Sequence, residues 1–167
     1  MQVFLPFPSF EESVLLLDKG RLLKQLVECQ QILNIIEKKK RGEKPGYFNH
    51  PAVLIWENYE EALTLYYCEA YELAKEEGIR FNKLKEKPRP YFPVIPPIVG
   101  YSPFHISHQS QLLRKALSDM QGMGRNGKKK KNESLHINFR ITGGLDRSIY
   151  DNLYNFQYVP LPYVWKR

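Results

Sequence analysis

The sequence predicts an all-α protein: a compact single-domain helical bundle over 1–167, with a long proline-rich crossover at 83–103 and a small β-hairpin-like insertion within 122–148 near the C-terminus. Three observations carry this prediction. Apolar residues recur at steps of three and four through several long stretches, the mark of amphipathic helices. Prolines at 88, 90, 93, 96 and 97 forbid a regular helix between two of those stretches. Strict apolar–polar alternation appears in SLHINFRITGG, where Gly143 and Gly144 stop it. A chain of 167 residues that is 43% hydrophobic can fill one core and is too short to expect two.

Each element has its own signal. Ser9 to Glu12 (SFEE) has capping-box spacing after Pro8, so a first short helix should run to about Lys19, where Gly20 interrupts it. RLLKQLVECQQILNIIEKKK follows, with Leu22, Leu26, Cys29, Leu33 and Ile36 on one stripe. Lys38 to Arg41 and then Gly42 mark its end, cations meeting the negative end of the helix dipole before a residue that tolerates left-handed geometry. A third helix should begin at NHP, with Pro51 in its first turn, and continue to Gly78 along Ala52, Trp56, Tyr59, Leu63, Tyr66, Ala70 and Leu73. SPFHISHQSQLLRKALSDM makes a fourth, capped by Ser102 with Pro103 in the first turn. GMGRNGKKKKN reads as a flexible basic loop, and the tail places Tyr163 and Trp165 among prolines.

Composition limits the function classes. Lys and Arg number 25 against 18 Asp and Glu, a net +7 that suits a polyanionic partner. Cys29 and Cys68 lie on separate helical patterns, without the spacing of a zinc site or a disulfide framework, so no metal and no cofactor is expected. No apolar run reaches membrane-span length, and MQVFLPFPSF lacks the basic start and long apolar core of a signal peptide. The expectation is a soluble intracellular monomer, cytoplasmic or nuclear.

Two polar stripes carry the chemistry. In FHISHQSQLLRK, helical spacing puts His105, His108, Leu112 and Lys115 on one face, while Ile106, Leu113, Leu117 and Met120 form another that suits the core. Three readings of the histidines stand: metal ligands with His50 as a third, bridges between helices, or the floor of a polar groove. No HExxH-like pattern supports the metal. On the second helix, Arg21, Lys24, Glu28 and Gln31 share a stripe with a single carboxylate among cations and amides. An exposed Lys24–Glu28 pair would contribute only some tenths of a kcal/mol, so stability accounts for little of that pattern. A lone carboxylate beside cations can act as a general acid/base on a substrate whose phosphates the cations hold.

The order LDKGRLLKQLVECQQIL, NHPAVLIWENYEEAL, PFHISHQSQLLRK and the closing LPYVW resembles the pyrimidine dimer DNA glycosylases, most closely a cellular and viral branch and more distantly the endonuclease V-like phage enzymes. The resemblance covers about Met1 to Gly78, Ser102 to Met120 and the aromatic tail, and 122–148 departs from it. It implies a compact helical fold whose basic face kinks double-stranded DNA, flips a nucleotide and cuts the glycosidic bond at a UV photoproduct. It further implies AP-lyase nicking through an imine, with the amino-terminal α-amine as nucleophile and one glutamate on the second helix assisting.

Carried onto this chain, that glutamate is Glu28, with Arg21 and Lys24 on the phosphate side. Gln25, His50, His105, His108, Arg114 and Lys115 would line the DNA groove, and Tyr163 and Trp165 would stack on bases or brace the site. Gln2 is too bulky for methionine trimming, so the amine would be that of Met1. Alternatives stay open: Lys24 as nucleophile, hydrolysis without the lyase step, another damaged or modified base as substrate, or a non-catalytic DNA-binding module of the same fold.

Overall fold

The structure, a computed structural model, describes the backbone of residues 1–120 and the side chains of residues 1–112. The insertion at 122–148 and the side chains of Arg114, Lys115, Tyr163 and Trp165 lie outside the described residues. Within them every regular element is helical: α1 (Phe10–Leu15), α2 (Lys19–Lys40), α3 (Pro51–Trp56), α4 (Glu60–Glu76) and α5 (Ser102–Met120), with no strand. None of the described helices is long and apolar enough to cross a membrane.

Ser9 caps α1 by accepting a hydrogen bond from the Glu12 N–H at 3.2 Å. The helix ends at Leu15, earlier than Gly20 suggested. Asp18 is the reason: its carboxylate accepts from the Arg21 N–H at 2.9 Å and starts α2 there, which leaves Gly20 inside the first turn. α2 buries Leu22, Leu26, Cys29, Ile32 and Ile36, while Leu33 of the expected stripe is half-buried. Each aliphatic side chain removed from water contributes about 1.5–3 kcal/mol. The helix stops as its sequence indicates. Gly42, at φ 79°, donates to the Lys39 carbonyl at 2.9 Å and Glu43 donates to that of Lys38 at 3.0 Å, the pairing of a Schellman motif.

α4 runs antiparallel to α2. Lys19 meets Glu77 at one end at 3.2 Å, and Lys40 meets Glu60 at the other at 2.8 Å. The continuous helix expected from Pro51 to Gly78 is two helices, because Asn58 adopts φ 75° and turns the chain between Trp56 and Glu60. Short polar Asn is among the few residues that accept this geometry. The apolar stripe survives the break: Ala52 and Trp56 before it, and Leu63, Tyr66 and Ala70 after it, all enter the core. Phe10 of α1 seals this side, edge-on to Trp56 at 6.2 Å and to Tyr66 at 5.7 Å. After α4, Tyr67 donates its hydroxyl to the Lys85 carbonyl at 2.8 Å, and Arg89 pairs with Glu69 and Glu72, fixing the chain that leads to α5. α5 begins at Ser102, and in its first turn the Phe104 N–H donates to the Tyr101 carbonyl at 2.9 Å.

Candidate active site

The first six residues decide the site. Val3, Phe4 and Leu5 are buried, and the prolines at 6 and 8 deny this stretch a helix. A buried segment with no neighbouring strand among the described residues must find other partners for its backbone groups. Side chains of α2, α4 and α5 supply them. Gln25 behaves like a peptide unit of a missing strand: its Oε1 accepts from the Phe4 N–H at 2.8 Å, and its Nε2 donates to the Gln2 carbonyl at 3.2 Å. Tyr66 donates its hydroxyl to the Phe4 carbonyl at 2.9 Å. Burial pushes that phenol well above its usual range, so it stays a donor. Gln109 donates to the Pro6 carbonyl at 2.7 Å.

The two histidines hold Leu5 from α5. His105 Nδ1 lies 2.8 Å from the Leu5 carbonyl, while its Nε2 accepts from the Gly100 N–H at 2.8 Å. The carbonyl can only accept, so His105 carries its proton on Nδ1. His108 is the opposite tautomer. Its Nδ1 accepts from the Leu5 N–H at 2.8 Å, which leaves the proton of the neutral ring on Nε2. Burial lowers both, His105 below the ordinary imidazole value and His108 to about 3, with His105 adding to the effect on His108.

Over the described residues of α5 this arrangement departs from the expected faces. His105 and His108 are 4% and 0% exposed, and Ile106, assigned to the core, is 43% exposed. The histidines face inward because the amino-terminal backbone needs a donor and an acceptor at that place. As the floor of an open groove for DNA they are misplaced, and so is Gln25, which is 1% exposed. Among the described residues no group of three or more His, Cys, Asp and Glu side chains is placed to hold a metal ion.

What this clamp presents is the amino terminus. The Gln2 N–H donates to Glu28 Oε2 at 2.5 Å, which sets Met1 one residue from that carboxylate. Glu28 Oε1 faces Lys24 Nζ at 3.5 Å. Glu28 is itself buried, whereas the Lys24 side chain is 57% exposed. Arg21, half-buried on the same helix, pairs with Asp18. His50 lies within electrostatic reach of both groups: burial lowers its pKa, the positive α-amine lowers it further, and Glu28 opposes them. Its Nδ1 accepts from the Ala52 N–H at 3.1 Å and caps α3.

Of the residues expected at the site, the structure thus gathers Met1, Lys24, Gln25, Glu28, His50, His105 and His108 around one segment, the last two and Gln25 as its supports. Sequence reasoning missed Gln2, Tyr66 and Gln109. Tyr66 alone carried a usable signal, since a tyrosine on a core stripe must satisfy its hydroxyl.

Fold and site together define a class: a small helical protein that docks its own amino terminus against a buried carboxylate on its long second helix. More specifically, the chain belongs to the pyrimidine dimer DNA glycosylase family, which matches residues 1–87. That span holds α1 to α4, with Gln25, Glu28, His50 and Tyr66, and it stops short of α5. No curated protein and no solved structure matches the chain.

Proposed function

We propose that the protein is a DNA repair glycosylase with AP-lyase activity that acts on pyrimidine dimers in duplex DNA, with the Met1 α-amine as nucleophile and Glu28 as its acid/base partner. The observation that carries this reading is the hydrogen bond from the Gln2 N–H to Glu28, which docks the amino terminus at the one carboxylate of the α2 stripe. An α-amine suits the role because its ordinary pKa, about 8, leaves a useful unprotonated fraction near neutral pH. The amine attacks C1′ of the damaged nucleotide. The glycosidic bond breaks, its electron pair leaves with the base, and the base takes up a proton. Loss of the nitrogen proton and opening of the C1′–O4′ bond, with O4′ protonated, give an imine at C1′. Glu28 then accepts a proton from C2′, the C3′–O bond breaks with the phosphate as leaving group, and water releases the enzyme.

The supports acquire a role in this scheme. Gln25, His105 and His108 position the nucleophile by holding the backbone of residues 2 to 5 and do not touch DNA. Arg21 and the exposed Lys24 contact phosphates, which orients the duplex without reading its sequence.

The test uses duplexes bearing a single cyclobutane pyrimidine dimer, incubated with the protein and treated with borohydride. A trapped covalent adduct together with a nicked strand is the expected result. An abasic product with no adduct would mean hydrolysis alone, and no product with any lesion would leave a DNA-binding module.

A further inference from the structure

The proline-rich crossover treats its apolar residues in two ways. Phe81 and Leu84 towards its start, and Ile98 and Val99 towards its end, pack partly buried against the core. Between them Tyr91, Phe92 and Val94 stand 89%, 98% and 73% exposed. Core packing therefore accounts for the ends of the segment and not for its middle. The middle is nevertheless held. The Tyr67 hydroxyl donates to the Lys85 carbonyl at 2.8 Å, the Cys68 thiol donates to that of Lys87 at 3.6 Å, and Arg89 pairs with Glu69 and Glu72. Successive helical residues turn by about 100°, so Cys68 and Glu72 lie on the side of α4 turned away from Leu63 and Ala70 of the core. Beyond this anchor Pro90 and Pro93 enclose the two aromatics, and each proline also restricts the residue before it. Buried Pro96 then returns the chain to the body. The aromatic pair is presented on a stiffened tip, whose ordering a ligand need not supply.

Charge indicates what approaches it. Glu86 of the same stretch is taken by Lys75 at 3.6 Å, which leaves Lys83 and Lys85 as exposed cations on the approach to the tip. We infer that the crossover is a second nucleic-acid contact, in which Tyr91 and Phe92 stack on unpaired bases of a single strand while Lys83 and Lys85 attract its phosphates. Aromatic faces beside cations suit this ligand, because every base offers a π-surface and every link of the strand carries a negative charge. An intact duplex offers the tip nothing to stack on, since its bases are already stacked on one another. Self-association fits the tip less well. Tyr91, Phe92 and Val94 present on the order of 500 Å² together, short of the roughly 800 Å² that each partner of a stable dimer buries. A two-fold contact centred there would also set these cations against their own copies. The inference goes beyond the glycosylase reading and stands without it, because the contact is held by the outer side of α4 and shares no residue with the amino-terminal site.

The experiment measures, by fluorescence anisotropy, the affinity of wild type and variants for a dye-labelled oligothymidine roughly ten nucleotides long. Sedimentation velocity and thermal unfolding are followed in parallel. Tyr91→Phe and Phe92→Tyr should bind as wild type. Tyr91→Ala and Phe92→Ala should each lose on the order of tenfold, the scale of one base–aromatic stack. Phe92→Leu should share that loss, since leucine keeps an apolar surface and lacks the ring. All of these should unfold at the wild-type temperature, because the side chains they change lie in solvent. Lys83→Ala and Lys85→Ala should each make the slope of log affinity against log salt shallower by about 0.7, the single-strand value for one phosphate contact, and the aromatic variants should leave that slope unchanged. Wild-type affinity in both alanine variants of the aromatics would overturn the inference, as would a wild type that does not bind the oligonucleotide. Full binding by Phe92→Leu would overturn it in favour of an apolar docking point for a protein, and a wild-type dimer dissolved by Phe92→Ala would overturn it in favour of a second copy of this chain.

Discussion

Leu5 contributes no chemistry of its own, yet both of its backbone groups are held by imidazoles of opposite tautomer. That pairing has a pH signature. In the unfolded chain His108 binds a proton below about 6.5, and in the fold only below about 3, so between those values the unfolded state holds more protons. Stability therefore falls as pH drops through this window, with a slope from His108 alone of about 1.4 kcal/mol per pH unit, and His105 acts in the same direction. Urea midpoints at pH 7 and pH 4.5 should show this slope in wild type, and His108→Gln should flatten it by that share. Glu28→Gln is the complementary case. It should keep the fold and DNA affinity while lowering turnover by two or more orders of magnitude, the usual scale for a lost acid/base; unchanged turnover would remove Glu28 from the mechanism. Glu28 was legible in the sequence as a lone carboxylate among cations. The inward turn of the histidines was not. Residue type alone favours putting a histidine on the polar face and an isoleucine in the core, and the groups that reverse this preference lie some hundred residues away in the chain.

At the scale of elements, periodicity located the helices and capping chemistry corrected their ends. The α2 stripe and its Lys-rich, Gly-terminated end were readable because stripe and stop signal agree. The division of α3 from α4 was not, since the apolar steps continue across the break while the backbone leaves helical geometry from Glu57 to Tyr59, with Asn58 left-handed between them. A substitution tests that explanation. Asn58→Ala should lower unfolding free energy by about 1 kcal/mol, because a Cβ without a compensating polar group disfavours left-handed geometry. Asn58→Gly should leave stability unchanged or raise it. Equal losses for both in chemical denaturation would mean that the asparagine side chain, and not its backbone conformation, makes the turn.

At the scale of the whole molecule, the segment that begins the sequence is gripped by α2 on one side and by α5 on the other. No local spacing announces such a clamp, so the sequence yielded its members as separate polar residues and assigned several of them to DNA. The phosphate contacts proposed for Arg21 and Lys24 are tested by substitution. Arg21→Ala and Lys24→Ala should each weaken binding to damaged and undamaged duplex by a similar factor. Each should also make the slope of log affinity against log salt shallower by about one unit. Wild-type salt slopes in both variants would move the DNA face elsewhere. The central claim, that this architecture exists to present an amine, is tested most directly by mapping the borohydride-trapped adduct by mass spectrometry after tryptic digestion. The sugar remnant should ride on the peptide from Met1 to Lys19, attached at the α-nitrogen, and acetylating this nitrogen should abolish the adduct. An adduct on Lys24, seen as a missed cleavage there and persisting after the amino terminus is blocked, would contradict it.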